Sequence, residues 1–283
     1  MMKMKKGILL LPVLVLSACS SSEVQTDAPA TSANTQAATS AASTQAAEKF
    51  VPEVKREEKI TSSQYSPLAD AIKQQNDEAI QKTASEILAQ NSKDLAALNS
   101  LAMVYYKKGR LDAAEYILGK AVTAHPEASE VYSNLGLVLL AKGERREAIR
   151  SFRKAIELNP NNAVAGANVG SLYLQDKDFN KAALSLEIAV KNGQRDLKVM
   201  NNYAIAMAAT GKTKEAADIY ERLLKDNPSH KEVMLNYSIL MIEQMQKYRE
   251  GLDLLNRLKF VGNSPESREI IKQLENKAKA GLQ

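Results

Sequence analysis

From Leu95 to His230 the apolar side chains recur at spacings of three and four, the period of a helix with one buried face. Val131, Tyr132, Leu135, Val138 and Leu139 mark one such helix; Ala148, Ile149, Phe152, Ala155 and Ile156 mark the next. Gly143 interrupts the pattern between them, and Pro160 ends the second run. The unit then repeats. Pro126 and Pro160 lie 34 residues apart, and Pro228 lies 68 further on, twice that period. Gly109, Gly143 and Gly211 keep the same register, with Lys177 in the remaining slot, as do Ala114, Ala148, Ala182 and Ala216. Four blocks therefore align without a gap: 95–128, 129–162, 163–196 and 197–230. Each predicts two amphipathic helices, so the chain is expected to be all-α, with every helix pair burying its apolar face against its neighbours. The small residues have a packing reason. Gly136 and Gly170 in first helices, and Ala148 and Ala155 in a second helix, admit neighbouring helices where a larger side chain would hold them apart.

The block from Tyr132 through Leu135-Gly136, Leu139, Gly143, Ala148, Phe152 and Ala155 to Pro160 resembles the tetratricopeptide repeat position by position. Tyr132 stands for the usual Trp and Leu139 for the usual Tyr. The resemblance implies an α-solenoid, a right-handed superhelix of antiparallel helix pairs. A fifth copy runs over 231–265 with one extra residue near Gln246 and with Gly251 in place of the expected alanine. A degenerate first copy, 61–94, is expected to act as an N-terminal cap. About six repeats thus span 61–265, or 205 of 283 residues. In 266–283 the stripe Ile270, Ile271, Leu274 predicts a helix that covers the last repeat, with Ser264 as its N-cap and Pro265 at its first position.

The first 60 residues follow a different pattern. Met1–Lys6 is basic, Gly7–Leu16 is a short apolar run, and Leu16-Ser17-Ala18-Cys19 closes it with small residues. Ten apolar residues reach about half of the roughly 20 that a membrane span requires, so 1–18 is expected to be a secretory signal peptide. Its end resembles the lipobox of bacterial lipoproteins. That resemblance implies a diacylglycerol thioether on Cys19, cleavage just before it, and, with Ser20 rather than Asp following, the periplasmic face of the outer membrane of a Gram-negative cell. The covalent lipid is the only cofactor-like group expected. Residues 20–60, rich in Ser, Thr, Ala and Gln, have too little apolar surface to offset chain entropy, so 19–60 is expected to be a lipidated cysteine and a disordered tether.

Charge and composition narrow the function. The formal charge of +5 includes Lys3, Lys5 and Lys6 of the leader; without them 35 Lys and Arg face 33 Asp and Glu, leaving +2 and no case for nucleic acid. One cysteine, two histidines and no tryptophan leave little material for metal or thiol chemistry. His125 and His230 sit at repeat boundaries with no His or Cys nearby at ligand spacing. Gly211-Lys212-Thr213 lacks the glycine a phosphate loop needs five residues earlier, where Ala206 stands, and falls in a helix–helix turn. No enzyme is expected.

In the tetratricopeptide family the first helix of each repeat lines a concave groove. Carried onto this chain, the groove positions are Met103, Tyr106, Leu137, Leu140, Leu174, Ile205, Ala208, Ile239 and Ile242, mostly apolar and suited to an amphipathic helix or hydrophobic peptide, unless some of them are inter-helix core. Asn134, Asn168, Asn202 and Asn236 recur on the same helices, with Ser100 in the equivalent slot. They read either as a grip on an extended partner or as internal hydrogen bonding. The lysines and arginine of the family's carboxylate clamp are missing at Asn99, Met103, Asn134, Val164 and Asn168, which disfavours an acidic C-terminal peptide. Arg145, Arg146, Arg150, Arg153 and Lys154 crowd one outer helix, either facing an anionic partner, lipid headgroups or cell-wall carboxylates, or simply solvated beside Glu144 and Glu147. Lipobox, tether and repeats together resemble the pilus-biogenesis lipoproteins, the type IV pilotins and Tad assembly lipoprotein. The expected function is a non-catalytic scaffold for an envelope machine, a pilus, secretin or motility complex. The alternative is an adaptor that brings a periplasmic protease or cell-wall hydrolase to its substrate.

Overall fold

The computed structural model describes residues 66–262 and 264–283. The signal peptide, Cys19, the tether and the start of the 61–94 copy lie outside the described residues. Among those described there are thirteen α-helices and no strand. Two compact units are present, one ending at Val169 and one running Gly170–Gln283.

The first unit contains α1 (Ser66–Lys73), α2 (Asp77–Gln90), α3 (Leu95–Lys107), α4 (Leu111–Ala124), α5 (Ser129–Ala141) and α6 (Arg145–Leu158). Each packs on the next. Helix α7 (Ala163–Gln175) begins before residue 170 and ends after it. The second unit continues with α8 (Phe179–Lys191), α9 (Leu197–Ala209), α10 (Thr213–Asp226), α11 (Lys231–Ile239), a π-helical turn (Leu240–Gln244), α12 (Tyr248–Val261) and α13 (Arg268–Gly281).

A single backbone device sets the repeat. Helix pairs turn at a residue in the left-handed region: Gln75 (φ 53), Gly109 (φ 70), Gly143 (φ 84), Lys177 (φ 58), Gly211 (φ 84) and Gln246 (φ 57). The first five are 34 residues apart. Gln75 therefore puts the degenerate first copy in register with the others, although it has neither the glycine nor the proline that mark them. In every copy but the last a 6→1 hydrogen bond closes the turn, as from Arg110 N–H to Tyr105 O (2.9 Å) and from Glu144 N–H to Leu139 O (2.8 Å). In the last copy Lys247 N–H reaches one residue further, to Met241 O (2.9 Å). The extra residue is thus absorbed as a π turn at the end of the first helix, which keeps the αL residue at the chain reversal.

Helix starts recur with the same period. Asp94 accepts from Ala97 N–H (2.9 Å), Asn162 from Ala165 N–H (2.9 Å) and Asp196 from Val199 N–H (3.1 Å). His230 takes the next slot, its Nδ1 accepting from Val233 N–H at 3.4 Å. His125 places Nε2 2.6 Å from Lys93 O. Both imidazoles are thus engaged with the backbone.

Ala114, Ala148, Ala182 and Ala216 are all fully buried. The glycines opposite the second helices are close-approach sites. A Cβ on Gly136 would lie 2.6 Å from the Phe152 ring, and one on Gly170 would lie 2.6 Å from Leu186 Cγ. Each first helix is the more deeply packed of its pair. In α3 eight successive residues, Ala97–Val104, are buried, against Ala114, Leu118 and Ala121 in α4. At the C-terminus Ile271, Leu274 and Ala278 of α13 join the core. The start of this helix departs from the expected capping. Pro265–Ser267 forms a 3-10 turn before α13, Ser264 caps nothing with its side chain, and Ser267 Oγ donates to Ser264 O (2.8 Å).

Candidate partner-binding face

The first helices α3, α5, α7, α9 and α11, with the π-helical turn that carries Ile242, hold the residues expected to line the groove. Their placement separates into two classes. In the first unit Tyr106, Leu137, Leu140 and Asn168 are half-buried, so a partner can still touch them, whereas Met103 and Asn134 are buried. In the second unit Asn202, Ala208, Asn236 and Ile239 are half-buried, and Leu174, Ile205 and Ile242 are buried.

Met103, Leu174, Ile205 and Ile242 are therefore corrected from groove to core. Their register slots lie at the border between the inter-helix seam and the open face, where neighbouring side-chain size decides which way a residue packs. For Ile242 the π turn supplies the cause: a Cβ on Gly251 would lie 2.5 Å from Ile242 Cγ1, so Ile242 is pressed against α12. Gly251, in the slot of the periodic alanines, makes room for it.

The asparagines bond mainly inside the protein. Asn134 Nδ2 donates to Asn99 Oδ1 (2.7 Å), with both residues buried. Asn236 Nδ2 donates to Asn201 Oδ1 (3.1 Å), Asn202 Nδ2 to Ser171 Oγ (3.0 Å), and Asn168 Nδ2 to Val164 O of its own helix (2.8 Å). The first three of these bonds tie successive first helices together, and the Asn168 bond stays within α7. Asn134→Ala is expected to destabilise by about 1–3 kcal/mol because it strands the buried Asn99 oxygen, and Asn99→Ala/Asn134→Ala should cost less than the sum of the singles. Chemical denaturation of the four proteins measures this; strict additivity would break the pair.

Electrostatics here follow burial and pairing. Burial raises the Tyr106 phenol above its usual range, and burial followed by the Glu187 charge raises Tyr203. Both phenols therefore stay neutral and can donate. Lys142 at the end of α5 meets Glu115 (2.5 Å), Asp112 (2.9 Å) and Glu144 (3.2 Å), and these hydrogen-bonded carboxylates raise its ammonium well above the ordinary lysine value. Lys107 pairs in the same manner with Asp77 (3.0 Å) one repeat earlier. No cluster of three or more His, Cys, Asp or Glu side chains suited to a metal occurs among the described residues.

Models of the tetratricopeptide repeat match residues 95–125, 129–162 and 168–231. The chain carries tetratricopeptide repeats. Several solved structures share the fold. YrrB, described as a tetratricopeptide protein with an unusual peptide-binding site, is 18% identical, with a TM-score of 0.60 over 70% of this chain and 97% of its own. MamA of AMB-1 is 20% identical, with a TM-score of 0.52 over 61% of this chain and 94% of its own. Pseudomonas aeruginosa pilF is 19% identical, with a TM-score of 0.50 over 66% of this chain and 88% of its own. No curated protein matches the chain.

In the first unit a cleft of about 790 Å³ lies along α4, with Tyr116, Lys120, Lys93 and Leu135 among its lining. Tyr116 is 65% exposed. The available signal was its register: it fills the outer-helix slot that Arg150 occupies 34 residues later.

Proposed function

We propose that the chain is a non-catalytic scaffold that holds a protein of an envelope-assembly machine, a pilus, secretin or motility complex, while tied through Cys19 to the periplasmic face of the outer membrane. Tetratricopeptide proteins are generally scaffolds for protein–protein contact, and the repeats here carry no catalytic family. The observation that supports the reading best is the row Tyr106, Leu137 and Leu140 on α3 and α5. These large side chains are only half-buried although they sit on the more deeply packed helices, which suits an apolar segment laid across them. The fold shared with Pseudomonas aeruginosa pilF is compatible with a pilus role, and the choice of an envelope machine rests on lipobox, tether and repeats together.

The test is crosslinking and pull-down from membranes with the full chain and with Leu137→Glu/Leu140→Glu, whose folding is checked by circular dichroism. The double variant is expected to lose capture of its specific partners at least tenfold. Recovery of the same partners in the same amounts would show that this face is not used. Deletion separates the machine from an adaptor: loss of secretin multimers or surface fibres supports assembly, whereas intact fibres with altered protein turnover or cell shape support delivery of a hydrolase.

A further inference from the structure

We propose that the exposed stripe Arg146–Arg150–Arg153 of α6, together with Tyr116 and Lys120 of α4, docks on the anionic headgroups of a phospholipid bilayer. The surface goes beyond the scaffold reading and does not depend on the lipid at Cys19.

Arg146, Arg150 and Arg153 are spaced four and three apart, so they share one face of α6, opposite the buried Ala148, Ser151, Phe152 and Ala155. All three are exposed. At about 1.5 Å per residue the stripe is roughly 10 Å long. Helix α6 carries five basic residues against Glu147 and Glu157, a balance of +3. The other second helices of the unit are acidic: α2 has Lys82 against Asp77, Glu78 and Glu86, and α4 has Lys120 against Asp112 and Glu115. The positive charge is therefore local, in a chain that is nearly neutral outside its leader.

The acids at hand do not cancel it. Glu147 meets Arg150 (2.6 Å) and Glu157 meets Lys154 (2.9 Å), both exposed pairs that water and salt screen. Arg146 and Arg153 have no carboxylate partner among the described residues. On α4, Asp112 and Glu115 pair with Lys142. The cleft beside Tyr116 thus sets Lys93 and Lys120 against Asp112 and Glu115, and the positive charge of this outer face comes from the α6 stripe.

Residue type then selects the partner. A guanidinium is weakly hydrated and takes two phosphate oxygens at once, which suits phosphate better than a lysine-rich face would. Tyr116 occupies the repeat slot of Arg150, so it belongs to the same outer face, and Lys120 Nζ lies 4.6 Å from its ring centroid. An exposed tyrosine with a lysine over its ring is the pattern of side chains at the headgroup level. An acidic protein would have to present carboxylates in one matching row, whereas a headgroup layer offers phosphate at every point.

The test uses the full chain with Cys19→Ser, which cannot be lipidated, and sedimentation with vesicles. Phosphatidylglycerol–phosphatidylethanolamine vesicles should bind it, pure phosphatidylcholine vesicles should not, and salt on the order of 0.5 M should release it. Arg146→Gln/Arg150→Gln/Arg153→Gln should weaken partitioning on the order of 100-fold. Tyr116→Ala, which leaves charge untouched, should weaken it several-fold. Equal binding to phosphatidylcholine, or undiminished binding by the folded triple variant, would overturn the proposal. So would retention on an immobilised acidic polypeptide with none on anionic vesicles.

Discussion

Phe152→Ala is expected to destabilise the first unit by about 3–5 kcal/mol, the usual loss for a buried aromatic side chain. Phe152 is fully buried, and its ring sits against Gly136 of α5, where even a methyl group would come within 2.6 Å. Gly136→Ala should therefore cost about 1–3 kcal/mol by overpacking. Combined with Phe152→Ala the added methyl has a cavity to enter, so the double variant should be destabilised by less than the sum of the singles, by more than about 0.5 kcal/mol. Urea denaturation followed by circular dichroism gives the energies. Amide exchange gives the location: in a repeat array neighbours carry most of the coupling, so α5 and α6 should lose protection while α12 and α13 keep theirs. Additive energies would mean that ring and glycine do not share the space.

The helix pairs were legible because period and packing agree. Pro, Gly and Ala at fixed offsets report a turn and a close contact, and neither depends on distant parts of the chain. Gln75, Lys177 and Gln246 adopt the left-handed turn without being glycine, so composition alone hides that position, and the surrounding 34-residue register reveals it. The extra residue near Gln246 was visible, but its accommodation as a π turn was not. That choice turned Ile242 toward Gly251 and out of the partner face. Met103, Leu174 and Ile205 were misplaced for a related reason: period identifies the helix face, and a residue at its edge is buried or open according to the bulk of side chains from other helices. The asparagines show a different limit. Their recurrence announced a ladder, and only the distance from Asn134 Nδ2 to Asn99 Oδ1 shows it spent inside the protein.

Cys19→Ser is expected to move the protein from the membrane fraction to the soluble fraction. Cys19 lies outside the described residues, so the expectation rests on the lipobox and on energetics. No helix among the described residues is long and apolar enough to cross a membrane. Each buried CH₂ of an acyl chain contributes about 0.8 kcal/mol, so two or three chains outweigh any protein surface contact. The arginine stripe supplies about 1 kcal/mol per cation near an anionic surface, and salt erodes it. Fractionation at two ionic strengths therefore separates the attachments. Wild-type protein should stay with the membranes through a high-salt wash, and Cys19→Ser should be soluble after one. If Cys19→Ser is retained at low salt, and the same three Arg→Gln substitutions release it, the headgroup contact survives and holds α6 near the bilayer while residues 20–60 set the reach. If Cys19→Ser withstands the wash, the lipobox reading fails and the anchor lies elsewhere.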